Sequence, residues 1–301
     1  MLLGALAAAA AAWSALPSAT LERGEVAAAR VGHHAYVVGG FVAPAGASTA
    51  VVERLDLRTR RWRRVRSMPV GLNHPAAASD GRYLYVLGGY RADAALAGET
   101  AAVRRYDPRT GRWTRLPDMP TARGALGAAV VGGRLYAVGG AAGGTALRTL
   151  EVLDLRTRRW RTGPPMPTPR EHLGVAAAGG KVYVLAGRNP RNLTSAERFD
   201  PRRGRWERLP SSRRARGGNT AAAVGGRLVV LGGEEAAGTI AEVEAFDPRA
   251  RRWRTLAPMR TPRHGLGAVG YGGRVYALAG GRTPGFSYSA LAEALRVATT
   301  D

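Results

Sequence analysis

The chain has 301 residues, of which 45% are hydrophobic and 22% are charged, so it can bury a substantial core. It contains no Cys, which excludes disulfides, Cys-ligated zinc, iron–sulfur clusters and a Cys nucleophile. The net charge is +23, but Lys181 is the single Lys among 45 basic residues, a skew as typical of GC-rich coding as of selection for a polyanion.

Residues 1–12 form an almost wholly apolar leader that is too short to span a bilayer. They resemble the apolar part of a secretory signal, although no basic residues precede them. Two interpretations stay open: cleavage and export to the periplasm or exterior, or a leader that stays attached to a cytoplasmic protein. The remainder, residues 13–301, is predicted to fold as a single domain.

An internal repeat organises the chain from Trp13 onward. Six Trp residues recur, and a pair of small residues follows each of them at a constant interval of 26 positions, as in Gly139-Gly140. A fixed interval in six copies indicates a repeat architecture. The six Trp residues are Trp13, Trp62, Trp113, Trp160, Trp206 and Trp253.

The third unit shows the elements of one repeat in order. Residues 124–131 and 134–140 read as two strands joined by a Gly-Gly hairpin turn, which accepts positive φ at both positions. Residues 149–153 read as a third strand, and the segment beginning at Trp160 as a fourth. Four antiparallel strands in each unit, repeated six times, predict an all-β fold, a six-bladed β-propeller.

The repeat resembles the kelch β-propeller proteins, bacterial kelch repeat-containing proteins in particular. The double Gly, the aromatic residue before Asp-Pro, the spaced Trp and the following Met-Pro pairs, such as Met119-Pro120 and Met166-Pro167, carry this resemblance. It covers the chain from about Trp13 to Val297. The motifs are specific for the fold and imply little about activity.

The two ends of the chain predict how the ring closes. The last unit stops after its third strand, near Leu295, without a turn Asp or a Trp. The missing strand stands at the other terminus, where residues 13–17 mirror residues 206–210. We therefore expect the N-terminal strand to complete the sixth blade, because a closed ring leaves no open sheet edge.

Comparison of the six units distinguishes the residues that recur in nearly every unit from those that differ in one unit. An Arg lies ten positions after each Trp and a Glu lies on the third strand, except in the second blade, where Leu72 and Arg104 replace both. The joint loss predicts that Arg and Glu pair within a blade, as Arg123 with Glu151 and Arg170 with Glu197. The alternative is a ring of Arg that binds an anion. The repeated Trp and Tyr side chains are predicted to be core.

Two sets of positions differ between the blades: those 11 and 12 residues after Trp, and the pair after the double Gly. In peptide-binding kelch propellers the equivalent positions line the rim of the central channel, so the resemblance implies a polar ligand-binding rim here. Three of the five His residues belong to it. The predicted rim residues are Glu25, Asn73, His74, Tyr90, Arg91, Glu171, His172, Arg188 and His264.

Two functions follow as hypotheses. The first is a non-catalytic module that binds a peptide, a protein or a small polar ligand such as a sugar. The second resembles the kelch sialic-acid mutarotase, with Glu25 or His172 as the base and Arg188 or Arg91 as a carboxylate clamp.

No cofactor and no metal are expected, because Glu25, His74 and His172 are not at local ligand spacing and only ring closure could unite them. The copper oxidases of this fold require a Cys–Tyr cross-link, which a Cys-free chain cannot form. We expect a monomer with no specific nucleic-acid partner and no membrane span.

Overall fold

A computed structural model describes residues 12–297, and all its regular elements are β-strands. The predicted leader, residues 1–12, lies outside the described part except for Ala12, and its cleavage stays a prediction. Residues 298–301 of the predicted domain also lie outside the described part.

The strands fall into units that we call blades 1 to 6. The first strand is β1 (Trp13–Leu16). Blade 1 comprises β2 (Arg23–Gly24), β3 (Ala27–Val31), β4 (His34–Val38), β5 (Phe41–Val42), β6 (Ala47–Ser48), β7 (Val52–Asp56) and β8 (Trp62–Val65). Blade 2 comprises β9 (Ala76–Ser79), β10 (Leu84–Leu87), β11 (Val103–Asp107) and β12 (Arg112–Leu116).

The second half of the chain repeats this order. Blade 3 comprises β13 (Gly127–Val131), β14 (Arg134–Val138), β15 (Ala141–Ala142), β16 (Thr145–Ala146), β17 (Leu150–Asp154) and β18 (Arg159–Thr162). Blade 4 comprises β19 (Gly174–Ala178), β20 (Lys181–Leu185), β21 (Ala196–Asp200) and β22 (Arg205–Leu209). Blade 5 comprises β23 (Gly217–Val224), β24 (Arg227–Glu235), β25 (Gly238–Thr239), β26 (Val243–Asp247) and β27 (Arg252–Leu256), and blade 6 comprises β28 (Gly267–Tyr271), β29 (Arg274–Leu278) and β30 (Ala292–Arg296).

Each blade is an antiparallel sheet whose four main strands follow chain order, as in β13-β14-β17-β18. Blade 6 has the order β1-β30-β29-β28, in which Trp13 stands opposite Leu295 and Leu16 opposite Ala292. The innermost strands contact one another in the cyclic order β3, β9, β13, β19, β23, β28 and back to β3. The prediction of an all-β propeller is confirmed, and the N-terminal strand pairs where the sequence analysis expected it.

Small residues let the innermost strands approach one another around the axis. A Cβ added to Gly127 would lie 2.0 Å from Val175 Cγ2 of the next blade, and one added to Gly267 would lie 2.4 Å from Ala28 Cβ. Both distances are shorter than any carbon–carbon contact. The Gly and Ala content of β13 and β28 is therefore a packing requirement of the ring.

The Trp residues tie each blade to the one before it. Trp13 is 5% exposed, whereas the other five are half-buried at the margins of the core clusters. Each indole N–H donates a hydrogen bond of 2.7–3.0 Å to a backbone carbonyl of the preceding blade, as Trp62 does to Pro17 and Trp13 to Ala257. Of the six residues predicted to be core, Trp13 is buried in a core cluster, and the other five pack against core clusters while their polar edges reach carbonyls near the surface.

Candidate functional site

The loops at one end of the ring, which we call the rim face, carry the positions that differ between blades. Twelve residues after each Trp the backbone is left-handed, with φ between 48° and 68°. In blades 2 to 6 the N–H at this position donates to the carbonyl of the same position in the preceding blade, and in blade 1 Val26 N–H donates to Gly265 in place of Glu25 N–H and closes the circle. The circle holds these side chains around the axis. Its members are Glu25, His74, Ala125, His172, Gly218 and Gly265.

The repeated charge pairs lie apart from this circle. Arg123 Nη1 is 2.7 Å from Glu151 Oε2, and Arg170 Nη2 is 3.1 Å from Glu197 Oε1, with all four side chains at most 2% exposed. The predicted pairing is confirmed, and three further pairs repeat it: Arg23–Glu53, Arg216–Glu244 and Arg263–Glu293.

The same Arg residues also hold the backbone of their own blade. Arg170 Nη1 donates to the carbonyls of Ala186 and Ser195, and Arg263 Nη1 donates to the equivalent carbonyls of Ala279 and Leu291. Burial lowers the pKa of Arg263 to about 10, more than the charge of Glu293 raises it. These contacts give the Arg ring a scaffold role. In blade 2, Leu72 is buried in an apolar cluster instead.

Glu25 joins three blades at the channel mouth. Its Oε2 lies 3.1 Å from His74 Nε2, and its Oε1 lies 2.9 Å from His264 Nδ1. The side chains are 12%, 5% and 1% exposed in that order. Ring closure therefore brings a carboxylate of blade 1 between histidines of blades 2 and 6.

A second network, centred on Arg188, adjoins the first. Arg188 Nε lies 2.6 Å from Glu171 Oε1, and its Nη1 lies 3.0 Å from Glu234 Oε1. The other oxygen of Glu171 contacts His172 Nδ1. Glu234 Oε2 is also 3.5 Å from His264 Nδ1, so the two networks form one cluster of charged groups.

Burial and charge act in opposite directions on the acids of this cluster. Burial would raise the pKa of Glu25, but His74 and His264 outweigh it and hold that pKa well below its usual value. Burial likewise opposes the lowered pKa of Glu171, which His172 and Arg188 produce. Both carboxyl groups are therefore ionised at neutral pH.

The histidines respond differently to their surroundings. Burial lowers the pKa of His74 more than Glu25 raises it. In His264, hydrogen bonding to Glu25 and the charges of Glu25 and Glu234 outweigh burial and raise the pKa. The mouth thus combines a neutral imidazole with one that takes up a proton more readily.

The remaining predicted rim residues surround this cluster at different distances. Asn73 is fully buried, and its Oδ1 lies 2.7 Å from His74 Nδ1. Tyr90 is 2% exposed, and its ring meets the His74 ring edge-on at a centroid distance of 5.7 Å. Arg91 lies apart, because it is exposed and its Nη2 donates to Thr100 Oγ1.

Part of the mouth borders a cavity of about 110 Å³. Glu25, His74 and His172 line it, together with small side chains of the innermost strands, such as Ala76 and Ala128. A space of this size accommodates water molecules beside the charged groups.

Sequence reasoning missed Glu234 as a member of the site. It occupies the variable pair after the double Gly of blade 5, where Glu234 and Glu235 stand side by side. Its signal was therefore present, but only the folded ring reveals that Glu234 contacts Arg188 of blade 4. A further group, His33, His34 and Asp56, lies in the turns at the opposite end of blade 1.

Comparison with known proteins agrees with the repeat geometry. The family described as the KLHDC2/KLHL20/DRC7 Kelch-repeats domain matches residues 25–215, and the Kelch motif matches residues 215–260. The chain belongs to the kelch-repeat family. The predicted resemblance to kelch-repeat proteins is confirmed, and the match supports a propeller that serves as a binding module.

Curated relatives match parts of this kelch propeller. Kelch-like protein terF of Aspergillus terreus is 34% identical over 141 residues, covering 43% of this chain and 31% of that protein. Kelch-like protein 34 of Homo sapiens is 51% identical over 57 residues, and Kelch-like protein 1 of Mus musculus is 48% identical over 48 residues. These two matches cover 19% and 16% of this chain and 9% and 6% of the relatives. The chain thus spans less than a third of the length of the curated relatives it matches.

Within residues 12–297, the kelch propeller contains no helix with the length and apolarity needed to cross a membrane.

Proposed function

We propose that the rim face binds a peptide segment of a partner protein, or a small polar ligand, at the channel mouth, through a positively charged group on that ligand. One observation carries this proposal: polar side chains that differ between the repeats converge from five of the six blades on a single mouth. Residues that recur in the repeats stabilise the fold, whereas residues on one face that differ between the repeats are typical of the binding surface of a repeat protein.

The charge of the mouth favours a cationic group on the ligand. Glu25, Glu171 and Glu234 meet there in a chain whose net charge is +23, and Arg188 is the guanidinium among them. A Lys, an Arg or an amino terminus of a bound peptide would add charge-assisted hydrogen bonds to these acids.

Apolar side chains support a peptide rather than a free ion as the ligand. Leu96 and Phe286, 48% and 56% exposed, are the large hydrophobic side chains exposed on the described surface, and both lie in rim-face loops. Phe286 contacts Phe41, whose ring lies 5.5 Å from that of His74. This aromatic path joins the exposed rim to the charged mouth, as a peptide with an apolar residue beside a cationic one requires.

A peptide array tests the proposal. Peptides with Lys, Arg or a free amino terminus beside an aromatic residue are screened against neutral sugars and sugar acids, by the rise in melting temperature that binding produces. The affinity of the best binder is then measured for Glu25→Gln, Glu171→Gln and Glu234→Gln.

We expect each variant to weaken binding more than tenfold, because losing a charged hydrogen-bonding partner costs about 1.5–3 kcal/mol. His33→Ala, on the opposite end, serves as the control and should bind as the parent does. Unchanged affinity in all three rim variants, with intact melting curves, would move the binding surface away from the mouth.

A second candidate is sugar-acid mutarotation, favoured by the two carboxylate–histidine pairs, Glu25–His74 and Glu171–His172, which are suited to acid–base chemistry. Against it, Arg188 is held by Glu171 and Glu234, so its guanidinium is engaged before a substrate carboxylate arrives. Anomer exchange of sialic acid, followed by NMR, decides: acceleration that Glu25→Gln abolishes would establish this activity in place of simple binding.

A further inference from the structure

The structure assigns a divalent transition-metal site, of the kind that zinc occupies, to Glu25, His74 and His172 at the channel mouth. One nitrogen of each histidine and one carboxylate oxygen of Glu25 lie within 4.8 Å of one another. Two imidazoles and one carboxylate are a ligand set that zinc takes in proteins, with the fourth position left to water or a ligand. This site does not depend on the proposed peptide binding.

The spacing of the donors is close to that of a bound ion. Two ligands at tetrahedral zinc are roughly 3.4 Å apart, since each bond is about 2.0–2.1 Å long. His74 Nε2 and Glu25 Oε2 are 3.1 Å apart, so this pair needs almost no movement. His172, whose ring centroid lies 4.7 Å from that of His74, completes the set through a small shift of its side chain.

Each histidine is oriented as a metal ligand by the residue before it. Asn73 Oδ1 lies 2.7 Å from His74 Nδ1, and Glu171 Oε2 contacts His172 Nδ1. An oxygen acceptor at Nδ1 fixes the proton there and leaves the Nε2 lone pair for a metal. The two His residues of different blades share this arrangement, since each follows an amide or acid residue at the same position of its repeat.

Glu25 is supported in the same way. While Oε2 faces His74, its Oε1 lies 2.9 Å from His264 Nδ1. Polar groups beside the far oxygen of a ligating carboxylate are typical of metal sites. His264 is therefore a positioning residue rather than a ligand.

The charge of the cluster also suits a divalent cation. Glu25, Glu171 and Glu234 bring three carboxylates to the cluster against the single guanidinium of Arg188. Arg188 Nη2 is 3.4 Å from both ring nitrogens of His172, so it lies along neither lone pair, and Glu171 and Glu234 hold its guanidinium. A bound M²⁺ would offset this excess of carboxylates.

Metal titration of the full chain tests the assignment. After EDTA treatment and desalting, ZnCl₂ is titrated by calorimetry, and CoCl₂ is titrated by visible absorption, which is intense only for tetrahedral Co²⁺. We expect one tight site per chain and a raised melting temperature with Zn²⁺ but not with Mg²⁺, whose preferred ligands are oxygens.

Substitutions distinguish the residues that bind the metal from the residues that orient them. His74→Ala and His172→Ala should abolish the tight site and the Co²⁺ spectrum, and Asn73→Ala should weaken binding about 10- to 100-fold. His33→Ala/His34→Ala is the matched control, because His33, His34 and Asp56 also bring ligand atoms within 4.8 Å on the opposite face. Circular dichroism of each apo variant verifies folding.

Two results would overturn the assignment: no stoichiometric Zn²⁺ binding by the folded parent, or binding that survives His74→Ala and His172→Ala but is lost in the His33→Ala/His34→Ala control. Should His172→Ala fail to fold, His172→Asn replaces it.

Discussion

The propeller buries charge in two regions that follow opposite rules. The Arg–Glu pairs recur in five blades, and each pair closes within its own blade, as Arg123 and Glu151 do. At the channel mouth, partners also come from different blades, as Glu25 and His74 do. Ion pairs within one blade follow from the residues that recur in the repeat. Ion pairs between blades depend on which residues this chain carries at the positions that vary.

The largest expected effect comes from opening the ring. Deleting residues 1–17 removes β1 and the buried Trp13, and loss of a buried Trp side chain alone costs about 3–5 kcal/mol. Deleting residues 1–12 keeps β1 and is the control. Thermal unfolding should show a large loss for the longer deletion only, and equal melting temperatures would contradict the role of β1.

Converting blade 3 to the residues of blade 2 tests whether the pairs act within one blade. Glu151→Arg alone leaves Arg123 buried beside another cation, and Arg123→Leu alone leaves Glu151 unpaired, so each should cost about 3–5 kcal/mol. The double variant reproduces the Leu72 and Arg104 of blade 2 and should recover most of that loss. Denaturant unfolding measures the three free energies, and additive losses would show that the two residues are not coupled.

A smaller loss of stability should distinguish a glycine at the channel mouth from a glycine in a hairpin turn. In Gly265→Ala the new Cβ would lie 2.4 Å from Glu25 Cδ, at a φ of 54°. Gly132→Ala has nearly the same φ, 56°, with no atom within 4 Å. The left-handed backbone costs both variants about 1–2 kcal/mol. An additional loss in Gly265→Ala should report the packing around Glu25, and equal unfolding free energies would show that Glu25 moves aside freely.

The smallest effect concerns the repeated turn acids far from the mouth. Backbone hydrogen bonding from Ala250, and then from Arg249, lowers the pKa of Asp247. The stability from this ionised group is present above its unfolded pKa of about 3.8 and is lost as pH falls through the lower folded pKa. The melting-temperature difference between the parent and Asp247→Asn should therefore be constant near neutrality and disappear in acid. A difference that persists at pH 2 would rule out the ionised carboxylate as its source.

Repetition explains how much the sequence could predict. Strand order, the hairpin at Gly132-Gly133 and the pairing of Arg170 with Glu197 all follow from comparing units within one chain. The joint absence in blade 2 predicted a contact without any coordinates, since a buried charge needs its partner.

The contacts between residues at the channel mouth could not be predicted by comparing the units. Its residues could be named as exceptions, but their mutual distances depend on how six blades close around the axis. The proximity of Glu234 to Arg188, and of His172 to His74, has no local signature, because 46 and 98 positions of sequence separate these pairs. The rim residues predicted from the sequence therefore included Arg91, whose side chain contacts Thr100, and did not include Glu234, which contacts Arg188.

The circle of left-handed residues has a consequence for how such a mouth can change over evolution. Glu25 and His74 are 49 positions apart in the chain, yet the circle makes them neighbours with fixed backbones. The six blades carry four residue types at this position, Glu, His, Ala and Gly, and all join the same circle of backbone hydrogen bonds. The chemistry of the mouth can therefore change at this position while the backbone of the ring is kept.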